Sequence, residues 1–310
     1  MADFDIIDCH VHTFPSADRG MTYQRGTGRS AEAIKRYGTI PELLGLMKEN
    51  GISKSIMLMY TPTRYMYESR VKGQEMPSNE KERAHVEAEI QTMMAQRMIA
   101  NNEWAIEVGE QHPELVSFAG LDPVYMDEAV LLGEIDDKIK RGAKGVKIVL
   151  RALAIYADDP RLWPVYKRIT ELDVPITSQV GETGEAGDRG PYANPKFFEK
   201  ALKEFPNLRV NAVHLGHGFE EEIADLAGRF PGFYTDFSSR LASIEDPKEP
   251  VPQQWFVDFI RRCGADRVMF GTNYPGGDPE QYTRLMQQLP LTDAEKEMVA
   301  AGNAKRFAKL

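Results

Sequence analysis

The strongest constraint in this chain is an alternation. Short apolar runs rich in Val, Ile, Leu and Met take turns with longer stretches of helical period. Strand patterns fall at 4–10, 54–60, 115–121, 143–150, 174–180, 208–214, 233–237 and 267–272. Their scarcity of polar alternation is what parallel strands covered on both faces require. Helical patterns fall between them, at 39–50, 79–111, 126–141, 159–172, 195–205, 219–230 and 252–263, with two more at 279–288 and 292–310. Gly51, Gly142 and Gly264 stand just past helical patterns, where a left-handed C-cap favours glycine. Eight such strands in 310 residues point to a distorted (β/α)8 barrel, the TIM-barrel architecture, as one domain over 1–310. The competing fold, a doubly wound open sheet, lacks its Gly-x-Gly-x-x-Gly turn here.

A barrel of this kind carries its chemistry at the C-terminal ends of its strands. The first strand runs into His10 and His12, whose two-residue spacing puts both imidazoles on one face. The second ends in Tyr60, with Arg64 just beyond, and the fourth carries Lys147 and leads to Arg151. Gln179 and Glu182 follow the fifth, His214 and His217 the sixth, Asp236 and Arg240 the seventh, and Asn273 and Tyr274 the eighth. Long connections at 13–38, 61–78 and 182–194 are expected to cover this rim.

The formal net charge of -9 argues against a nucleic-acid surface. No apolar run approaches the roughly 20 residues that cross a bilayer, and the acidic start lacks a signal-peptide shape, so a cytoplasmic protein is expected. Cys9 and Cys263 give no disulfide framework. The long helical pattern at 79–111 offers a surface for a homo-oligomer contact. Cations at the rim of an acidic chain suggest a small anionic substrate, gripped by Arg64, Arg151, Arg240 or Lys147. Tyr60 and Tyr274 could stack on it, with Gln179 and His217 as further contacts.

Six segments in order resemble the amidohydrolase superfamily: Asp-Cys-His-Val-His at 8–12, Gly-Ala-Lys-Gly-Val-Lys-Ile at 142–148, Pro-Ile-Thr-Ser-Gln-Val-Gly at 175–181, Val-His-Leu-Gly at 213–216, Phe-Gly-Thr-Asn-Tyr-Pro at 270–275 and Gly-Asn-Ala-Lys-Arg-Phe at 302–307. The branch they resemble most holds aminocarboxymuconate semialdehyde decarboxylase, the resorcylate and carboxyvanillate decarboxylases and related hydrolases. The resemblance implies one divalent metal, zinc or manganese. His10 and His12 would be ligands, and His214 would polarise substrate or water beside the metal. A strand-five histidine and a strand-eight aspartate would complete that set, but this chain has Gln179 and Asn273 there. An amide neither carries charge nor accepts a proton near neutral pH. Weak metal binding or none is therefore expected, with His10, His12 and His214 as the protein ligands if an ion binds.

With the aspartate gone, Glu182 and Asp236 are the carboxylates placed to act as base, with pKa raised in a dry pocket. The leading expectation is hydrolysis of an amide, lactone or similar cyclic bond in a small carboxylated molecule, with His214, Glu182, Asp236 and Asn273 as catalytic groups. The alternative is a lyase, a decarboxylase or hydratase of an aromatic or unsaturated acid. A third is a silent, ligand-binding barrel.

Overall fold

A computed structural model describes residues 4–26, 28–181 and 191–310. Eight parallel strands follow one another in chain order around a nearly closed barrel. They are β1 (Ile6–Val11), β2 (Ile52–Leu58), β3 (Leu115–Gly120), β4 (Gly145–Ile148), β5 (Ile176–Ser178), β6 (Val210–Ala212), β7 (Phe233–Asp236) and β8 (Val268–Met269). All eight expected strands are present, each trimmed or shifted at its ends. The seam between the first and last strands is closed beyond β8. Cys9 N–H donates to the Phe270 carbonyl (2.9 Å), Asn273 N–H to the His10 carbonyl (2.9 Å) and His12 N–H to the Tyr274 carbonyl (2.7 Å).

Helices fill the connections, and local chemistry sets their ends. Helix Ile40–Asn50 stops at Gly51, which adopts φ 68° and returns its N–H to the Met47 carbonyl. Helix Glu80–Gln111 starts where the Asn79 side chain accepts from the N–H groups of Lys81 and Glu82. Two of the expected long loops are largely helical instead. Ala17–Gly26 and Thr63–Lys72 form helices whose weak amphipathic pattern hid them: few of their residues are buried. The last expected helix is broken into Asp293–Glu297, a π-helical turn at Met298–Gly302 and Asn303–Ala308.

Two layers of apolar packing hold the barrel. The larger lies between strands and outer helices, around Val146, Ile148, Tyr166, Phe198 and Phe256. The smaller fills the inside of the barrel below the site, where Ile7, Ile56, Leu58, Phe118, Tyr234 and Met269 meet Phe307 of the last helix. Phe118 and Phe307 stack with ring centroids 6.2 Å apart. A Cβ at Gly145 would fall 2.5 Å from the Phe118 ring, so the glycine makes room for that plug. Cys9 and Cys263 are both free and buried. No helix among the described residues is long and apolar enough to cross a membrane.

Candidate active site

Above the apolar plug the barrel interior turns polar. His10, His214 and Asp236 lie there, fully or almost fully buried. Their donor atoms fall within 4.8 Å of one another. The His10 and His214 rings stack at 5.1 Å with 27° between planes. His12, half-buried, brings its Nε2 to 3.3 Å from His10 Nε2. The three imidazoles foreseen from opposite ends of the chain therefore meet at one rim.

Ser238 ties the cluster together. Its hydroxyl donates to Asp236 Oδ1 and lies 2.9 Å from His10 Nδ1 and 2.8 Å from His214 Nδ1. A hydroxyl has one donor and two lone pairs, so it accepts from both rings and is saturated. Nothing in the sequence pattern singled Ser238 out. Asn211, also unforeseen, donates from Nδ2 to Asp236 Oδ2 (2.8 Å). Asp8 fixes the seam from below, accepting from His10 N–H (3.0 Å), Thr272 N–H (3.0 Å) and the Thr272 hydroxyl (2.5 Å). Burial pushes the Asp8 carboxyl up to about 7 despite those bonds.

The hydrogen bonds decide where each imidazole keeps its lone pair. His12 Nδ1 faces the Leu58 carbonyl (3.1 Å), His214 Nδ1 the Ser238 carbonyl (2.8 Å) and His10 Nδ1 the Asp236 carboxylate (3.2 Å). All three partners only accept, so each Nδ1 carries the proton and each Nε2 is bare. His10 Nε2 and His12 Nε2 thus oppose lone pair to lone pair at 3.3 Å. A proton between them is disfavoured, because burial lowers both imidazoles and Lys147 lowers them further. Burial also takes His214 down to about 3. A divalent cation resolves the conflict. Two nitrogens each about 2.1 Å from one ion stand roughly 3.0–3.4 Å apart. An Nδ1–H anchored on a carboxylate or carbonyl is the arrangement that supports a ligating histidine. His214 Nε2 and Gln179 Oε1 meet at 3.2 Å, on the same rim. The donor chemistry fits a metal, and Asp236 supplies through His10 the negative charge that the amide at 179 does not.

Asp236 is not the base expected of it. Burial alone would raise its carboxyl. The neighbouring His10 and His214, with hydrogen bonds from His10 and Ser238, reverse that and hold it far below the ordinary carboxylate range. It orients and stays ionised. Lys147 behaves in the opposite sense: burial lowers its ammonium from 10.5 to about 8, with Asp236 opposing. It borders a small cavity with Met59, Tyr60, Thr61 and Leu121. Tyr60 also lies edge-on to Tyr23 (6.2 Å), and Tyr23 stands 5.8 Å from His12. Tyr23 belongs to helix Ala17–Gly26, within the connection expected at 13–38.

Tyr274, Arg64, Arg240 and Asn273, expected at the site, have side-chain partners elsewhere. Tyr274 is fully buried and donates to Glu42 Oε2 (2.6 Å), so it anchors the barrel seam. Arg64 pairs with Glu68 one helical turn away (2.9 Å). Arg240 reaches Glu220 (3.4 Å) and lies over the Trp255 ring (5.7 Å). Arg151 is buried in the single-turn helix Leu150–Leu153. His217 follows the turn at His214–Gly216 and donates its N–H to the His214 carbonyl (3.2 Å). The Asn273 side-chain amide donates to Ser239 Oγ (2.7 Å), and the Asn273 backbone carbonyl receives Gly276 and Gly277 N–H, so the residue builds the turn. Glu182 lies outside the described residues. His214, Ser239 and Asn273 all hold φ near +60°, conformations that are costly for non-glycine residues and cluster at functional sites.

The chain is similar to a gamma-resorcylate decarboxylase of Polaromonas sp. strain JS666, with 20% identity over 188 residues, 51% of this chain. The aligned stretch spans 58% of that relative's own length. Among solved structures, it resembles 5-carboxyvanillate decarboxylase of Sphingomonas paucimobilis (17% identity, 99% of this chain and 100% of that one, TM-score 0.70). It also resembles a dihydroxybenzoic acid decarboxylase of Polaromonas sp. JS666 with bound manganese and 2-nitroresorcinol (18% identity, 99% and 97% coverage, TM-score 0.72). These relatives are decarboxylases, which overturns the expectation of a hydrolase. The sequence profile described as amidohydrolase matches residues 7–310, and the chain belongs to that family.

Proposed function

We propose that this protein is a lyase that decarboxylates a small hydroxylated aromatic acid. The observation that carries the reading is the imidazole rim. Three buried or half-buried rings present bare Nε2 atoms to one space, with an ammonium, Lys147, beneath them. Those lone pairs receive a cation, which together with the Lys147 ammonium would attract an anion, and the named relatives act on aromatic carboxylates.

His10, His12 and His214 would hold a divalent cation of the manganese kind, with the Gln179 oxygen beside it; such ions accept mixed nitrogen and oxygen donors. Bound there, the cation would supply positive charge to fix and polarise an anionic oxygen of the substrate. Asp236 and Ser238 keep His10 and His214 in the tautomer that such binding needs. Tyr60 and Tyr23 give the ring an aromatic wall. In the chemical step the bond between ring carbon and carboxylate breaks, carbon dioxide leaves, and the electron pair stays on the carbon. That carbon must take a proton. Lys147 is the group we assign as donor: it is protonated below about pH 8 and faces the pocket cavity. Solvent then restores its proton.

The test is a panel of hydroxybenzoates incubated with the purified chain and added manganese, with carbon dioxide release and the decarboxylated phenol followed together. Stoichiometric formation of both from one member, abolished by His12→Ala, is the expected result. No carbon dioxide from any member at several pH values refutes the reading.

A further inference from the structure

Beneath the imidazoles, β4, β5 and β6 set three polar side chains side by side. Lys147 is in register with Thr177, and Thr177 with Asn211. Laterally paired residues of a parallel sheet point to the same face. That face is the barrel interior, because Asn211 Nδ2 reaches Asp236 there. Each of the three is at most 1% exposed. Each also has an atom with no hydrogen-bond partner among the described residues: Lys147 Nζ, Thr177 Oγ1 and Asn211 Oδ1. A buried polar group left unpaired is destabilising, so three on one rung call for a common partner.

The chemistry of the row selects the partner. Lys147 only donates while charged, Asn211 Oδ1 only accepts, and Thr177 does either. Rotating the Asn211 amide gives no relief, since its carbonyl would then face the Asp236 carboxylate. A bare carboxylate would oppose Asn211 Oδ1, and a metal cation would oppose Lys147. What fits is an oxygen that accepts and donates at once. We propose that Lys147, Thr177 and Asn211 form a binding site for one hydroxyl oxygen, carried by a water molecule or by the hydroxyl group of a bound ligand. The ligand source rests on the decarboxylase reading above; the water source does not. The site lies one step from the histidines, because the oxygen bound to Asn211 connects through that amide to Asp236 and so to His10.

Crystal structures of the full chain test this, free and soaked separately with 2-hydroxybenzoate and with benzoate. A single oxygen peak within hydrogen-bond reach of Nζ, Oγ1 and Oδ1 is expected in the free protein. Replacement of that peak by the hydroxyl of 2-hydroxybenzoate assigns a ligand hydroxyl; an unchanged peak in both soaks assigns water. Thr177→Val keeps the β-branched shape and removes one partner, so the peak should vanish or lose most of its occupancy. If a ligand hydroxyl is the source, the same variant should bind 2-hydroxybenzoate about tenfold more weakly while benzoate is unaffected. Lys147 Nζ bonded directly to Thr177 or Asn211 with no oxygen between them overturns the proposal. So does a peak unmoved and fully occupied in Thr177→Val. Because density is read without turnover, an inert protein with the oxygen in place would fail only the functional reading.

Discussion

Replacing Lys147 by Met should make the protein more stable and less active at once. The ammonium is fully buried, and burial lowers it from 10.5 to about 8. Each tenfold in a protonation constant is about 1.4 kcal/mol, so the charged form costs about 3 kcal/mol relative to the unfolded chain. Met keeps an unbranched stem of similar length and carries no charge. The sign is fixed by linkage. A base depressed on folding destabilises most below its folded pKa, and the penalty fades as pH rises from about 8 to 10.5. Urea unfolding of wild type and Lys147→Met at pH 7 and again near pH 10 checks this. The variant should gain up to about 3 kcal/mol at pH 7, and most of the gain should disappear at the higher pH. An oxygen already paired with Nζ would offset part of it. Carbon dioxide release by the variant should fall by at least about 100-fold, the usual worth of a positioned acid. A variant less stable than wild type at pH 7, or a difference that ignores pH, would refute the account of Lys147 as a poorly solvated cation.

Asp236→Asn should destabilise the chain by about 2–4 kcal/mol at pH 7, since it removes the charged acceptor of His10, Ser238 and Asn211. The deficit should shrink as pH falls below 3.8, because a carboxylate held far below its usual pKa contributes only where the unfolded chain is ionised; thermal melts across acid pH read it. Tyr274→Phe should cost about 1–2 kcal/mol through the lost bond to Glu42, while carbon dioxide release stays within twofold of wild type. A large activity loss in that variant would return Tyr274 to the pocket.

The site was legible where chemistry sits on a strand end. His10, His12, Lys147, Gln179, His214 and Asp236 fall at such ends, and the barrel rule alone brings them to one rim. The role of Asp236 was not legible. Whether a buried carboxylate is raised or lowered depends on whether imidazoles and hydroxyls stand around it, and the linear chain does not say. Tyr274 and Arg64 show the same limit: a residue just past a strand can turn into the core or pair along its own helix.

Period and order along the chain decided the architecture, because burying eight apolar strands under helices leaves few other closed arrangements. Partners 22 to 228 positions apart decided the chemistry. Ser238 and Asn211 carry no motif, yet Ser238 helps to set which nitrogens of His10 and His214 are bare, and Asn211 holds the Asp236 carboxylate. Tautomer, charge and hydrogen-bond saturation are properties of neighbours in space, and only folding chooses those neighbours.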